Sequence, residues 1–328
     1  MSAATRTDPA KAAGSAHPLA QRRPLGDRGF QLLALVSGLL VLVILVLIAV
    51  TTSQQSTSWF TKEGFKGIFS TNWDGTAHFG AMAFVYGTVI TSVIAIVIAV
   101  PVSVAIALLL TEVVPRRWAR PIVYVIDLLA VVPSVIWGLW GILVFGPWVY
   151  GIYSSIASGV KGVPVLGWLF GPPVGGSGAS FFTAGLILAV MITPIVTSLS
   201  REVIATVPAI DKEGAYALGA TRWEMIRGAV WPHSQNGVVG AVLLGLGRAM
   251  GETIAVALVI GSSATVTSRL FATGYSMPAV IANQFNEAAG EQRAGLIGLG
   301  VLLFALTIII NLIARGVVER STRRLRGA

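Results

Sequence analysis

Six apolar stretches, each long enough to cross a bilayer, constrain this chain more than anything else in it. A membrane helix needs about 20 consecutive apolar residues, and Phe30 to Val50, Gly80 to Leu110, Pro121 to Gly146, Phe181 to Ser200, Asn236 to Gly261 and Ala294 to Ala314 all qualify. Inside hydrocarbon every backbone N–H and C=O must be paired, so such runs predict an all-α polytopic membrane protein with six transmembrane helices. Composition agrees, with 55% hydrophobic and 11% charged residues, against about 25% charged in soluble domains. The first run follows 29 polar-rich residues and exceeds a signal-peptide core, so it is expected to stay in the mature chain.

The charges orient these helices. Of 23 Lys and Arg, seventeen fall at the two termini or in the inter-span segments on the same side as them. Lys62, Lys66, Lys161, Arg269 and Arg293 fall on the other side, and Arg248 lies within a span. The positive-inside rule therefore predicts cytoplasmic termini. A net charge of +9 invites a nucleic-acid reading, but no basic stripe interleaved with aromatics appears, so lipid is the expected partner and nucleic acid is not. Residues 1–29 read as a disordered cytoplasmic tail. Residues 30–78 read as the first helix with an external loop, 79–315 as the core and 316–328 as a basic cytoplasmic tail.

Several chemistries drop out. With no cysteine and only His17, His78 and His233, widely spaced, no disulfide, thiolate nucleophile or metal site is expected. No nucleotide-binding G-x-x-x-x-G-K-[ST], H-E-x-x-H or G-x-S-x-G sequence occurs, so the chain is read as a non-enzyme with no catalytic residues and no cofactor of its own. GPPVGGSG at Gly171 is rich in backbone donors but lacks the lysine of a phosphate loop. Pro101 is expected to kink the second span. The external segment Pro147 to Ser180 is too rich in Gly and Pro for a long helix, and Trp148, Tyr150, Tyr153 and Trp168 suit headgroup anchoring.

Three features carry functional weight. The segment of about 201–235 is too long for a turn: Pro208 can start a helix capped by Asp211, and Thr221 with Glu224 fits a capping box for a second helix, Arg222 to Val230, ending at Trp231-Pro232. Gly214, Ala215, Ala217, Gly219 and Ala220 give it a low profile suited to docking, though a helical hairpin lying on headgroups fits as well. In the fifth span, Arg248 and Glu252 are four apart and share a helix face. Arg248 sits at the midpoint, where an unpaired Arg costs at least about 2.5 kcal/mol. The pair either pins helix packing, aided by Gly247 and Gly251, or lines a polar pathway with Arg248 meeting an anion. In the third span, Asp127 near the helix start suits the dipole, and Pro133-Ser134 either frees a carbonyl for a pathway or merely kinks the helix.

Glu213, Ala215, Gly219 and Pro232 fall in register with the E-A-A-x-x-x-G-x(9)-I-x-L-P loop of membrane subunits of binding-protein-dependent ABC importers. Gly214, Ala229 and Trp231 depart from it. That resemblance implies a type I ABC importer permease fold for 79–315, with Glu213, Ala215, Gly219 and Ala220 coupling to an ATPase subunit. P-S-V-I-W-G-L-W-G from Pro133, M-I-T-P-I-V-T-S-L-S-R-E-V from Met191, the loop itself and G-R-A-M-G-E-T-I-A-V from Gly247 together resemble the PstC family of phosphate-importer permeases, from about Phe79 to Arg315. The PstA-like sister family resembles it less well at the last motif. The resemblance implies a PstA-like permease partner, an ATPase homodimer that holds ATP and magnesium, and an extracytoplasmic phosphate-binding protein in a bacterial cell membrane. It also implies that Arg248 and Glu252 act in translocation, with Asp127 and Ser134 as further pathway candidates. A sulfate or other oxyanion importer is the nearest rival. An ion-coupled transporter or channel fits the docking loop poorly, and a scaffold leaves Arg248 unexplained.

Overall fold

The computed structural model describes residues 25–74 and 78–326, and side chains for 29–74 and 78–316. The tail expected over residues 1–29 lies outside the described residues up to position 24, and from Leu25 the chain is already helical. Its contacts divide it at Val50–Thr51. The first part is most of α1, Leu25–Gln55. That helix is apolar around its whole circumference and exposed from Phe30 to Ile48, the pattern of a helix solvated by lipid.

The second part begins with α2, Thr57–Phe69, which occupies much of the segment read as an external loop. It continues with α3, Met82–Leu108, and a π turn at Leu109–Val113. Next come α4, Arg116–Val131, and α5, Ser134–Trp140, then a second π turn and α6, Gly146–Val160. The short α7, Pro164–Leu169, precedes α8, Phe181–Ala205. After α8 come α9, Ala209–Ala217, and α10, Arg222–Met225, which runs through a third π turn at Ile226–Val230 into α11, Trp231–Gly251. The chain closes with α12, Ile254–Val259, α13, Met277–Gln284, and α14, Gly290–Arg326.

Among the described residues, five helical stretches are long and apolar enough to cross a membrane: Gly29–Gln55, Met82–Val113, Ser134–Val160, Phe181–Ala205 and Gly290–Gly316. The stretch expected to cross at 236–261 is divided at Glu252-Thr253. The third span is displaced from the expected 121–146. Pro133 forces Val132 out of the helical region, to φ −58 and ψ 125, because the proline ring crowds the residue before it. The long helix starts beyond that break and runs to Val160, through Gly151 and Gly159. Val149, Tyr153 and Ala157, four apart, turn inward along α6, so packing overrides the glycines. Tyr153 is therefore no headgroup anchor: it stacks on Phe271 at 4.2 Å and shares a hydrogen bond with Thr183. Pro101 leaves α3 unbroken.

Helix α8 is the hub, packed against α3, α11, α4 and α12. Phe181, Ala184, Ile187, Leu188 and Ile192 are buried in its central cluster with Ala95 and Ala99 of α3 and Ala255 and Val259 of α12. A second cluster joins Trp59 of α2 and Phe84 of α3 to Val280 of α13 and Leu296 and Leu299 of α14.

Candidate functional site

Helix α11 stops at Gly251 because Glu252 turns to an extended conformation, φ −68 and ψ 126. The carboxylate then stabilises the restart: Glu252 Oε1 accepts from the Ala255 N–H at 3.4 Å, and Thr253 Oγ1 donates to the Gly251 carbonyl. A buried carboxylate at the opening of a helix meets donors that would otherwise lack partners. Glu252 is 9% exposed, whereas Arg248 is exposed.

This corrects the expected pair. The i, i+4 argument needs an unbroken helix, and the break re-aims Glu252, so no Arg248–Glu252 ion pair forms among the described residues. The glycine argument shifts as well. Gly247 and Gly251 face open space, while Gly237 and Gly245 meet Val203 and Val196 of α8. One face of α11, through Val238, Ala241, Gly245 and Ala249, is buried. The other, through Leu244, Arg248 and Gly251, is exposed. Arg248 thus stands on the open face of α11, one turn before the helix breaks.

The α5 motif meets this break. A Cβ on Gly138 would stand 2.8 Å from Ala255 Cα, so a glycine there lets α5 lie directly on α12, and Ser134 sits half-buried at the start of the same helix. Asp127 is in the fourth turn of α4, not near its start. It accepts from Ser198 Oγ at 3.0 Å and ties α4 to α8.

The segment read as a docking loop is built on α9 and α10. No α9 residue is buried, and Ile210 and Leu218 are 75% and 91% exposed. Pro208, not Asp211, occupies its N-cap, with Asp211 in the first turn. At its other end the Gly219 N–H donates to Tyr216 O and the Ala220 N–H to Ala215 O. This is a Schellman closure, and it requires the left-handed φ of +84 that Gly219 supplies. The Thr221–Glu224 capping box forms as expected. Its backbone hydrogen bond to Thr221 holds the Glu224 carboxyl below its ordinary range. The second helix does not end at Trp231-Pro232. The π turn continues into α11, where Pro232 near the start lacks only an N–H that is easily dispensed with.

One residue pair escapes sequence reasoning altogether. Lys212 of α9 binds Glu112 of the π turn after α3 at 2.5 Å, with the Glu112 side chain 6% exposed. The two are 100 positions apart, and no spacing rule links them.

Comparison with known proteins matches this arrangement. The chain is 41% identical over 308 residues to the phosphate transport system permease protein PstC of Mesorhizobium japonicum, covering 93% of each chain. It is 42% identical over 289 residues to the PstC of Pasteurella multocida, covering 87% of this chain and 89% of that one. Among solved structures it resembles a chain of a bacterial alginate ABC transporter in complex with its periplasmic protein. The TM-score is 0.59 at 15% identity, over 90% of this chain and 96% of the other. Residues 99–327 match the sequence profile of the binding-protein-dependent transport system inner membrane component, and this chain, a multi-pass inner-membrane permease component rather than an enzyme, belongs to that family.

Proposed function

We propose that this chain is the PstC-type subunit of an ATP-driven phosphate importer. It forms the translocation pathway with a PstA-like permease, an ATPase homodimer supplies ATP and magnesium chemistry, and an extracytoplasmic protein delivers phosphate. The observation that carries this reading is the 41% identity over 93% of the chain to a phosphate permease. The geometry supports the division of labour. Arg248 stands exposed on α11 with no carboxylate partner among the described residues, ready to contact an anion from its open face. Glu252 holds the broken helix in shape and offers a carboxylate to the proton that phosphate carries near neutral pH. Asp127 and Ser134 support the pathway from α4 and α5. Glu213, Ala215, Gly219 and Ala220 present the exposed α9 surface to the ATPase. The base distribution supports six membrane crossings with cytoplasmic termini, the broken α11–α12 segment being the additional crossing.

Radiolabelled uptake in a strain lacking this gene tests the cargo. Deletion is expected to abolish high-affinity phosphate uptake and leave sulfate uptake intact, and the restored gene to recover it. Unchanged phosphate uptake with a loss of sulfate or another oxyanion would transfer the assignment to that anion.

A further inference from the structure

Away from Arg248, four cations from three elements converge on one cavity. Arg116 and Arg120 of α4, Arg201 of α8 and Lys212 of α9 line a space of about 470 Å³, with Glu112 and Tyr124 in the same wall. Glu112, the only acid in that lining, is already bound to Lys212. Among the described residues the three arginines form no ion pair, and α4 has no acid in its first turn to offset them. A topology signal needs arginines near span ends, but it does not need them to share a cavity. Guanidinium groups that do so repel one another, and an anion between them removes the repulsion.

The planar, forked donors of arginine match phosphate oxygens in pairs. The wall leads outward past Tyr124, which is 70% exposed, onto the apolar surface of Val125 and Leu128. Basic pockets between membrane helices with apolar flanks are suited to lipid headgroups. We propose that this cavity is a second anion site, distinct from the Arg248 face of α11, that binds a phosphate group carried by an anionic phospholipid or present as free phosphate. Lys212 belongs to α9, so an occupant bears directly on the segment proposed to meet the ATPase.

The test uses the whole purified transporter complex, wild type against Arg120→Gln/Arg201→Gln. It reads binding rather than transport, so its result does not depend on the cargo. In one arm, phospholipid retained through detergent purification is quantified by mass spectrometry. Retention of phosphatidylglycerol or cardiolipin by wild type, falling at least about tenfold in the variant, identifies a lipid occupant. In the other arm, binding of radiolabelled inorganic phosphate is measured in phosphatidylcholine nanodiscs. One phosphate fewer per complex in the variant, with the remaining binding unchanged, identifies free phosphate. Equal lipid retention and equal phosphate binding in the two proteins overturn the proposal. Arg120→Gln alone is read by the same criteria if the double variant fails to assemble.

Discussion

Arg248 and Glu252 are four residues apart but lie on either side of the end of α11, and their substitutions should separate too. Arg248 is exposed and unpaired among the described residues. Arg248→Gln is therefore expected to leave membrane abundance near wild type while phosphate uptake falls at least about tenfold, the effect of one charge-assisted hydrogen bond. Glu252→Gln keeps an oxygen for the Ala255 N–H and should also insert normally, whereas Glu252→Leu strands that donor and should lower abundance. The double Arg248→Gln/Glu252→Gln protein should not regain uptake, because there is no mutual charge to neutralise. Immunoblotting of membranes beside uptake assays checks all four, and a transport-competent double variant would remove both residues from the site. An arginine in the middle of an apolar run is what singles these residues out in the sequence. Their geometry was not legible there: no proline announces the break at Glu252, and only the Ala255 N–H, three residues on, shows why the carboxylate leaves α11.

At the scale of the element, α9 was legible in its composition, and its closing bend explains one of its glycines. A Cβ on Gly219 would meet nothing within 4 Å, but φ is +84. Gly219→Ala is thus expected to cost about 1 kcal/mol through backbone conformation alone. Gly219→Asn, which tolerates the left-handed region better, should recover part of it. Measured as transport-stimulated ATPase activity of the assembled complex, the order should be Gly, then Asn, then Ala. Equal impairment by Asn and Ala would mean that the ATPase surface, rather than the bend, excludes a side chain. The third span shows where element reading fails. Apolar content ran evenly from Pro121 to Gly146, and hydropathy has no means of weighing Pro133 against Gly151. The structure does so through neighbours, since Val149 and Tyr153 find partners in α8 and the segment around Phe271, while Val131 beside the break is 79% exposed.

For the whole molecule, the absence of cysteine makes topology directly measurable. Lys161 and Arg222 are both exposed and are expected on opposite sides. A membrane-impermeant maleimide should label Lys161→Cys in intact cells and Arg222→Cys only after permeabilisation; labelling of both from one side would overturn the six-crossing arrangement. Six apolar runs stand in the sequence and five helical stretches among the described residues are long and apolar enough to cross; the assembly around α8 was not readable, because near-uniform hydrophobicity does not say which faces turn inward. The π turn at Ile226–Val230 has an evolutionary consequence. Its hydrogen bonds span five residues instead of four, so it holds one residue more than a regular helix needs between the same two ends. The angular phase between the Thr221–Glu224 box and Arg248 can therefore survive a change in chain length at this turn, whereas a deletion elsewhere in α11 would swing Arg248 by about 100°. A one-residue deletion within 226–230 is therefore expected to leave uptake nearer wild type than a one-residue deletion within 233–247, and equal loss from the two would mean that the turn does not absorb the change.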